Sequence, residues 1–132
     1  MTNINSPLPD DRIPVIVGIG EISDHPADLT AGLEPLALLE AALKRAEQDS
    51  GAALLRDIDS LDIVNFLSWR YQDPAAQLSA KLSIKPRHAY YGPVGGESPI
   101  RYLHEAAQRI ARGESVVAAV CGAEAQSTAT KA

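Results

Sequence analysis

Apolar residues arrive along this chain in two alternating rhythms, short unbroken runs and longer stretches with a helical period. Ile13-Pro-Val-Ile-Val-Gly-Ile-Gly20 is a run rich in β-branched residues and closed by glycine, which predicts a strand buried on both faces inside a sheet. Residues 21–32 carry Pro26 and acids without a period and predict a loop. Pro35 suits a first helical turn, and Leu36, Leu39 and Leu43 recur at helical spacing until Gly51 stops them. Ile58 to Leu67, with Leu61, Ile63 and Val64 at its centre, predicts a second strand. Asp73-Pro74 then supplies an N-cap and a first-turn proline for a short helix with Leu78 and Leu82 one turn apart, ended by Pro86. Arg87 to Tyr91 reads as a third strand, and Gly92 to Ser98 as a glycine-rich loop. Ser98-Pro99 opens a third helix, with Ser98 as N-cap and Ile100, Leu103, Ala107 and Ile110 as its buried stripe, and Gly113 terminates it. Val116 to Cys121 is a fourth buried strand, after which Ala123 to Ala132 turns small and polar.

Strands and helices alternating with crossover-length connections imply right-handed units, hence an α/β fold with a mostly parallel sheet flanked by helices. The expected organisation is a loose tail at 1–12, one α/β domain at 13–126 and a truncated polar end at 127–132, with no internal repeat. A length of 132 residues allows a single core. The 45% hydrophobic content includes no apolar run near the roughly 20 residues that span a bilayer, so no membrane partner is expected. A net charge of -5 with pI near 5.1 provides no basic face for nucleic acid. The single Cys121 forbids an internal disulfide and a thiolate metal cluster and suits the cytoplasm. His25, His88 and His104 fall on a loop, a strand and a helix without ligand spacing, so no metal site is expected. His88 is placed near a subunit boundary and His104 at the edge of a packed surface.

The stretch Tyr90 to Arg101 holds the densest candidate chemistry, because a strand feeding a glycine loop and then a helix start presents unpaired backbone N–H groups. Such an end binds anions, stabilises an oxyanion or lowers a thiol pKa; equally, the glycines can serve only a tight turn. Gly95, Gly96, Glu97 and Ser98 are therefore the candidate substrate-binding residues. Glu97 reads either as an acid or base near a carbonyl or as a solvated loop carboxylate, and Ser98 as a nucleophile or as a helix cap. Cys121, inside an apolar run, reads as a buried small hydrophobe, and Glu124 as a site wall or a loop holder. Ser68-Trp-Arg-Tyr71 is a cluster of aromatic and cationic residues, suited to core-edge packing or to a partner. Gly18-Ile-Gly20 is half of a dinucleotide fingerprint with no third glycine before a helix, a weak alternative.

From Arg12 to Gln126 the chain resembles the amino-terminal half of the thiolase superfamily, and within it a subgroup of acetyl-CoA acetyltransferase type. The matching pieces are Pro14-Val-Ile-Val-Gly-Ile-Gly20, Ile58-Asp-Ser-Leu61, Leu67-Ser-Trp-Arg-Tyr71, Gly95-Gly-Glu-Ser-Pro99, Glu105 to Glu114, and Val120-Cys-Gly-Ala-Glu-Ala125. The family motif reads Asn, two variable residues, Cys, a small residue, Ser, Gly, and these positions fall here on Pro93, Gly96, Ser98 and Pro99. Only the serine matches, and Gly96 offers no side-chain sulfur or oxygen for an acyl-enzyme.

The resemblance implies a three-layer architecture of two similar halves, of which this chain supplies most of the first. It also implies a coenzyme A thioester as substrate, no tightly bound cofactor, and either a homodimer through His88 to Tyr91 or completion by a carboxyl-terminal half. Without the nucleophile the expectation is a chain not competent for thiolysis alone. The alternatives are a retro-aldolase-type homologue and a non-catalytic acyl-CoA-binding or assembly subunit.

Overall fold

The computed structural model describes residues 8–23, 33–68, 70–93 and 95–124. His25, Trp69 and the polar end at 127–132 lie outside them, as does most of the expected loop before α1. Among the described residues three α-helices, α1 (Pro35–Ser50), α2 (Pro74–Leu82) and α3 (Ser98–Ala111), alternate with three strands, β1 (Ser60–Ile63), β2 (His88–Tyr91) and β3 (Ala118–Cys121). Both pairings are parallel and the order is β2-β1-β3, so β1 is central and two crossovers return through helices, as the alternation of patterns requires.

Local chemistry sets most boundaries. Pro35 and Pro74 occupy first turns, where a missing N–H costs nothing. Asp73 caps α2 by accepting from Ala76 N at 3.1 Å. Gly51 closes α1 with φ 75°, the left-handed geometry glycine tolerates. Two ends differ from expectation. Ser83, at φ 56°, stops α2 before Pro86 is reached, and α3 begins at Ser98 itself, with Glu97 preceding it and no side-chain cap.

Side chains alternate across β1 and sort the two sheet faces. Leu61 and Ile63 point to α1 and α2, where Leu36, Leu39, Leu43, Phe66, Leu78 and Ile84 complete the apolar core. Ser60 and Asp62 point the other way, toward α3.

At the central strand that second face is polar, and it overturns the expected packing of α3. Ser98, Tyr102 and Ala106 are buried, with Arg109 continuing the stripe, whereas Ile100 and Leu103 are 76% and 47% exposed. Ala107 and Ile110 are half-buried. The helix carries two stripes, and the one docked is the one whose chemistry matches the sheet. Asp62, with its side chain 1% exposed, receives Arg109 Nη2 at 2.5 Å and His88 Nε2 at 2.8 Å, and Arg109 Nε reaches Ser60 Oγ at 3.2 Å. A carboxylate survives in a sheet centre only with such partners.

Residues 13–20 form no strand. The five apolar side chains Ile13, Val15, Ile16, Val17 and Ile19 are 48% to 71% exposed, and the segment lies along α1 instead. Ile19 N donates to Asp49 Oδ2 at 2.8 Å, and Arg45 donates to the Glu21 carbonyl at 3.0 Å. A Cβ on Gly18 or Gly20 would stand 2.2 or 2.1 Å from the carbonyl oxygen of Ala46 or Ala42, so glycine here permits backbone-to-helix contact. Residues 21–23, which follow directly, start no helix, so the half fingerprint lacks the adjoining helix start of a phosphate cradle among the described residues. An apolar run declares what a sequence favours burying but not which element covers it.

Candidate functional site

Parallel strands all end on the same side, and there the next helix begins, so that edge of an open sheet is where ligands bind. In this chain it holds an open cleft of about 510 Å³. Val64 and Asn65 line it just beyond β1, Val120 to Glu124 at and beyond the end of β3, and Pro99 in the first turn of α3.

The wall after β1 is tied at three points. Asn65 Nδ2 donates to the Gly92 carbonyl at 2.9 Å, and Phe66 N donates to the Tyr91 hydroxyl at 2.8 Å. Glu124 accepts from the backbone N–H of Leu67 and, at 2.8 Å, of Ser68. Partial burial pushes the Glu124 carboxyl upward, but the hydrogen bonds from Leu67 and Ser68 outweigh this and hold it below its ordinary value. Glu124 thus takes both roles expected of it, lining the cleft and holding a loop. Tyr71 takes the packing role: its hydroxyl donates to Glu34 and accepts from Leu36 N at the start of α1. Burial, with the Glu34 carboxylate beside it and against the Leu36 bond, raises that phenol to about 12.

Gly95, Gly96, Glu97 and Ser98 stand together at the amino end of α3, but none lines the cleft; Pro99 does. Among the described residues a Cβ on Gly96 would meet no atom within 4 Å, and its φ is not positive. The glycine is therefore not dictated by packing. Glu97 is solvated and ion-paired with Arg101 of α3, the surface role rather than that of an acid or base in the cleft. Ser98 is buried, which sets its hydroxyl away from solvent and from the cleft, and its backbone N–H bonds the Gly95 carbonyl at 3.1 Å.

Cys121 packs against the apolar core, as a structural thiol should. Burial first, and then the charge of Asp62, push it up to about 12, so it stays protonated and inert at neutral pH. His88 joins the Asp62 cluster on edge strand β2, and His104 is exposed on α3. Among the described residues no three His, Cys, Asp or Glu side chains converge as metal ligands, and no helix is long and apolar enough to cross a membrane.

Asn65, Tyr102 and the Asp62–Arg109 pair went unread in the sequence. Their signals were present: Asp62 interrupts an apolar strand, and Ser98, Tyr102, Ala106 and Arg109 recur at helical spacing.

No family model and no curated protein matches the chain. Among solved structures it is similar to a monomeric SCP2-thiolase-like protein type 1 from Mycobacterium smegmatis, with a TM-score of 0.71 and 29% identity over 86% of this chain. It is also similar to 3-oxoacyl-[acyl-carrier-protein] synthase III from Aquifex aeolicus VF5, with a TM-score of 0.57 and 23% identity over 74% of this chain, a likeness of fold. The chain spans 24% and 30% of the length of those two proteins. The parallel sheet flanked by helices, together with the likeness to these two structures, gives this chain a thiolase-like fold.

Proposed function

We propose that the chain is the amino-terminal part of a thiolase-like acyl-CoA enzyme of acetyl-CoA acetyltransferase type, holding a coenzyme A thioester beside the start of α3 and not competent for thiolysis alone. The observation that carries this reading is Gly96: it stands where the resemblance puts the nucleophile, at the helix start beside the strand ends, with room for a side chain it does not have. Thiolysis needs a sulfur there to accept the acyl group. A frame kept without its nucleophile suits a carbon–carbon cleavage that forms no acyl-enzyme, such as retro-aldol cleavage of an acyl-CoA. It equally suits an acyl-CoA-binding assembly subunit. Incubating the protein with acetoacetyl-CoA and free coenzyme A tests the first point: no acetyl-CoA is expected, and efficient thiolysis would overturn the reading.

Two uncovered surfaces support completion by a partner. The outer face of α3 exposes Ile100 and Leu103, and β2 is an edge strand with Ala89 and Tyr90 exposed. A carboxyl-terminal half covers the first in this reading, and a second copy pairs along His88–Tyr91. The Mycobacterium smegmatis protein is described as monomeric, so the dimer has a direct test: light scattering at high concentration that shows monomer alone removes it. The cytoplasm remains the proposed compartment, on the reduced lone thiol and acidic composition.

A further inference from the structure

Asn65 brings to the cleft an oxygen that the chain leaves unused. Its Nδ2 donates to the Gly92 carbonyl at 2.9 Å, and because a carbonyl oxygen cannot donate, this bond fixes which end of the carboxamide is nitrogen. Gly92 lies outside the lining of the cleft, and the two arms of a planar carboxamide diverge, so Oδ1 turns away from Gly92 toward the cleft that Asn65 lines. Within the chain Oδ1 accepts no hydrogen bond. It is nevertheless reachable: among the described residues the Tyr102 hydroxyl, packed on Gly92, is the one fully buried side-chain oxygen or nitrogen without a partner, so the unpaired Asn65 oxygen is open to solvent.

The other polar side chains of the lining are committed. Each Glu124 oxygen takes a backbone N–H, one from Leu67 and one from Ser68, and the Cys121 thiol turns to the Asp62 carbonyl at 3.8 Å. Val64, Pro99, Val120 and Ala123 make the rest apolar, and among the described residues no Lys or Arg lines the cleft. An ionised Glu124 without a neighbouring cation disfavours a phosphate there and favours an uncharged group that carries a hydrogen-bond donor.

We infer that Asn65 selects a 3-hydroxyacyl thioester, its Oδ1 accepting the hydrogen bond of the substrate's 3-hydroxyl. The inference rests on the proposed acyl-CoA site and names its substrate class and the residue that reads it. Retro-aldol cleavage breaks the bond between C2 and C3 of a thioester hydroxylated on C3, so its substrate carries a donor where acetoacetyl-CoA carries a ketone. A lone acceptor pairs with the hydroxyl and leaves the ketone unpaired.

The test uses the full chain as wild type, Asn65→Ala and Asn65→Asp, titrated calorimetrically with butyryl-CoA, acetoacetyl-CoA and each enantiomer of 3-hydroxybutyryl-CoA. Wild type should bind one hydroxy enantiomer about fivefold more tightly than either of the other thioesters. Asn65→Asp, which keeps an acceptor oxygen, should keep that preference, and Asn65→Ala should lose it while binding butyryl-CoA within about twofold of wild type. Wild type that binds all the thioesters alike overturns the assignment, as does a preference that survives in Asn65→Ala. Equal weakening of every thioester by Asn65→Ala also overturns it, because the side chain then only holds Gly92 or reads an amide common to all coenzyme A esters. Each of these results leaves the site reading intact, whereas wild type that binds none of the thioesters removes that reading and this inference with it.

Discussion

Replacing Arg109 with alanine should cost far more than any exposed arginine in the chain. The Asp62 carboxylate is 1% exposed and depends on two partners, Arg109 at 2.5 Å and His88 at 2.8 Å. Removing Arg109 leaves one carboxylate oxygen buried and uncompensated, a change worth about 3–5 kcal/mol. Against a typical domain stability of roughly 5–15 kcal/mol that is a large fraction. For a chain of this size it corresponds to a fall in Tm of about 10–20 °C. Arg101→Ala provides the contrast: its pair with Glu97 is solvated on both sides and worth about 0.3–0.5 kcal/mol. Melts followed by circular dichroism, with urea titrations for ΔG, measure both. The double variant Asp62→Leu with Arg109→Met should regain most of the loss, since exchanging a buried ion pair for apolar groups of similar size is often neutral. A loss below about 1 kcal/mol for Arg109→Ala, or a double variant no better than the single one, refutes the view that α3 is anchored by charge.

Three further outcomes follow from the site. Gly96→Cys should fold normally, because its Cβ meets open space, with stability changed by no more than about 1 kcal/mol. Its thiol, close to a helix amino end, should react with iodoacetamide faster than an ordinary cysteine; peptide mass spectrometry showing no enhancement counts against the helix-start chemistry. Cys121, half-buried at the cleft with its pKa pushed up to about 12, should label slowly in the folded protein at pH 8, and rapid labelling contradicts the raised pKa. Glu124 has a folded pKa below its unfolded one, so its grip on Leu67 and Ser68 is present above the ordinary carboxylate range and is lost as pH falls through the lowered value. The amide resonances of Leu67 and Ser68 should move together in that acid window, and in Glu124→Ala the movement should vanish; a pH profile unchanged by the substitution contradicts the hydrogen bonds.

Much of the architecture was legible in the sequence because local signals and burial agreed. Pro35, Pro74, Asp73 and Gly51 mark helix ends through backbone chemistry that needs no tertiary partner. The leucines of α1 and the centre of β1 supply one continuous core. Reading failed where a residue's role depends on a distant neighbour. The stripe Ile100, Leu103, Ala107 and Ile110 is a sound amphipathic face, but the sheet beneath α3 offers Ser60 and Asp62, so the other face docks. Residues 13–20 have strand composition, yet strand structure requires a paired neighbour and α1 supplies none. At the site, the glycine loop and helix start were readable from spacing, whereas Asn65 and Tyr102 acquire meaning only once Gly92 is brought beside them.

A helix fastened to its sheet by ionised groups, with its oily ridge turned to water, is built inside out by the standards of a solitary domain. On its own such a polypeptide is a poor colloid. Salting-out ions that leave the sequestered Asp62–Arg109 contact untouched will strengthen adhesion between the ridges of neighbouring molecules, so its solubility limit should arrive well before its unfolding.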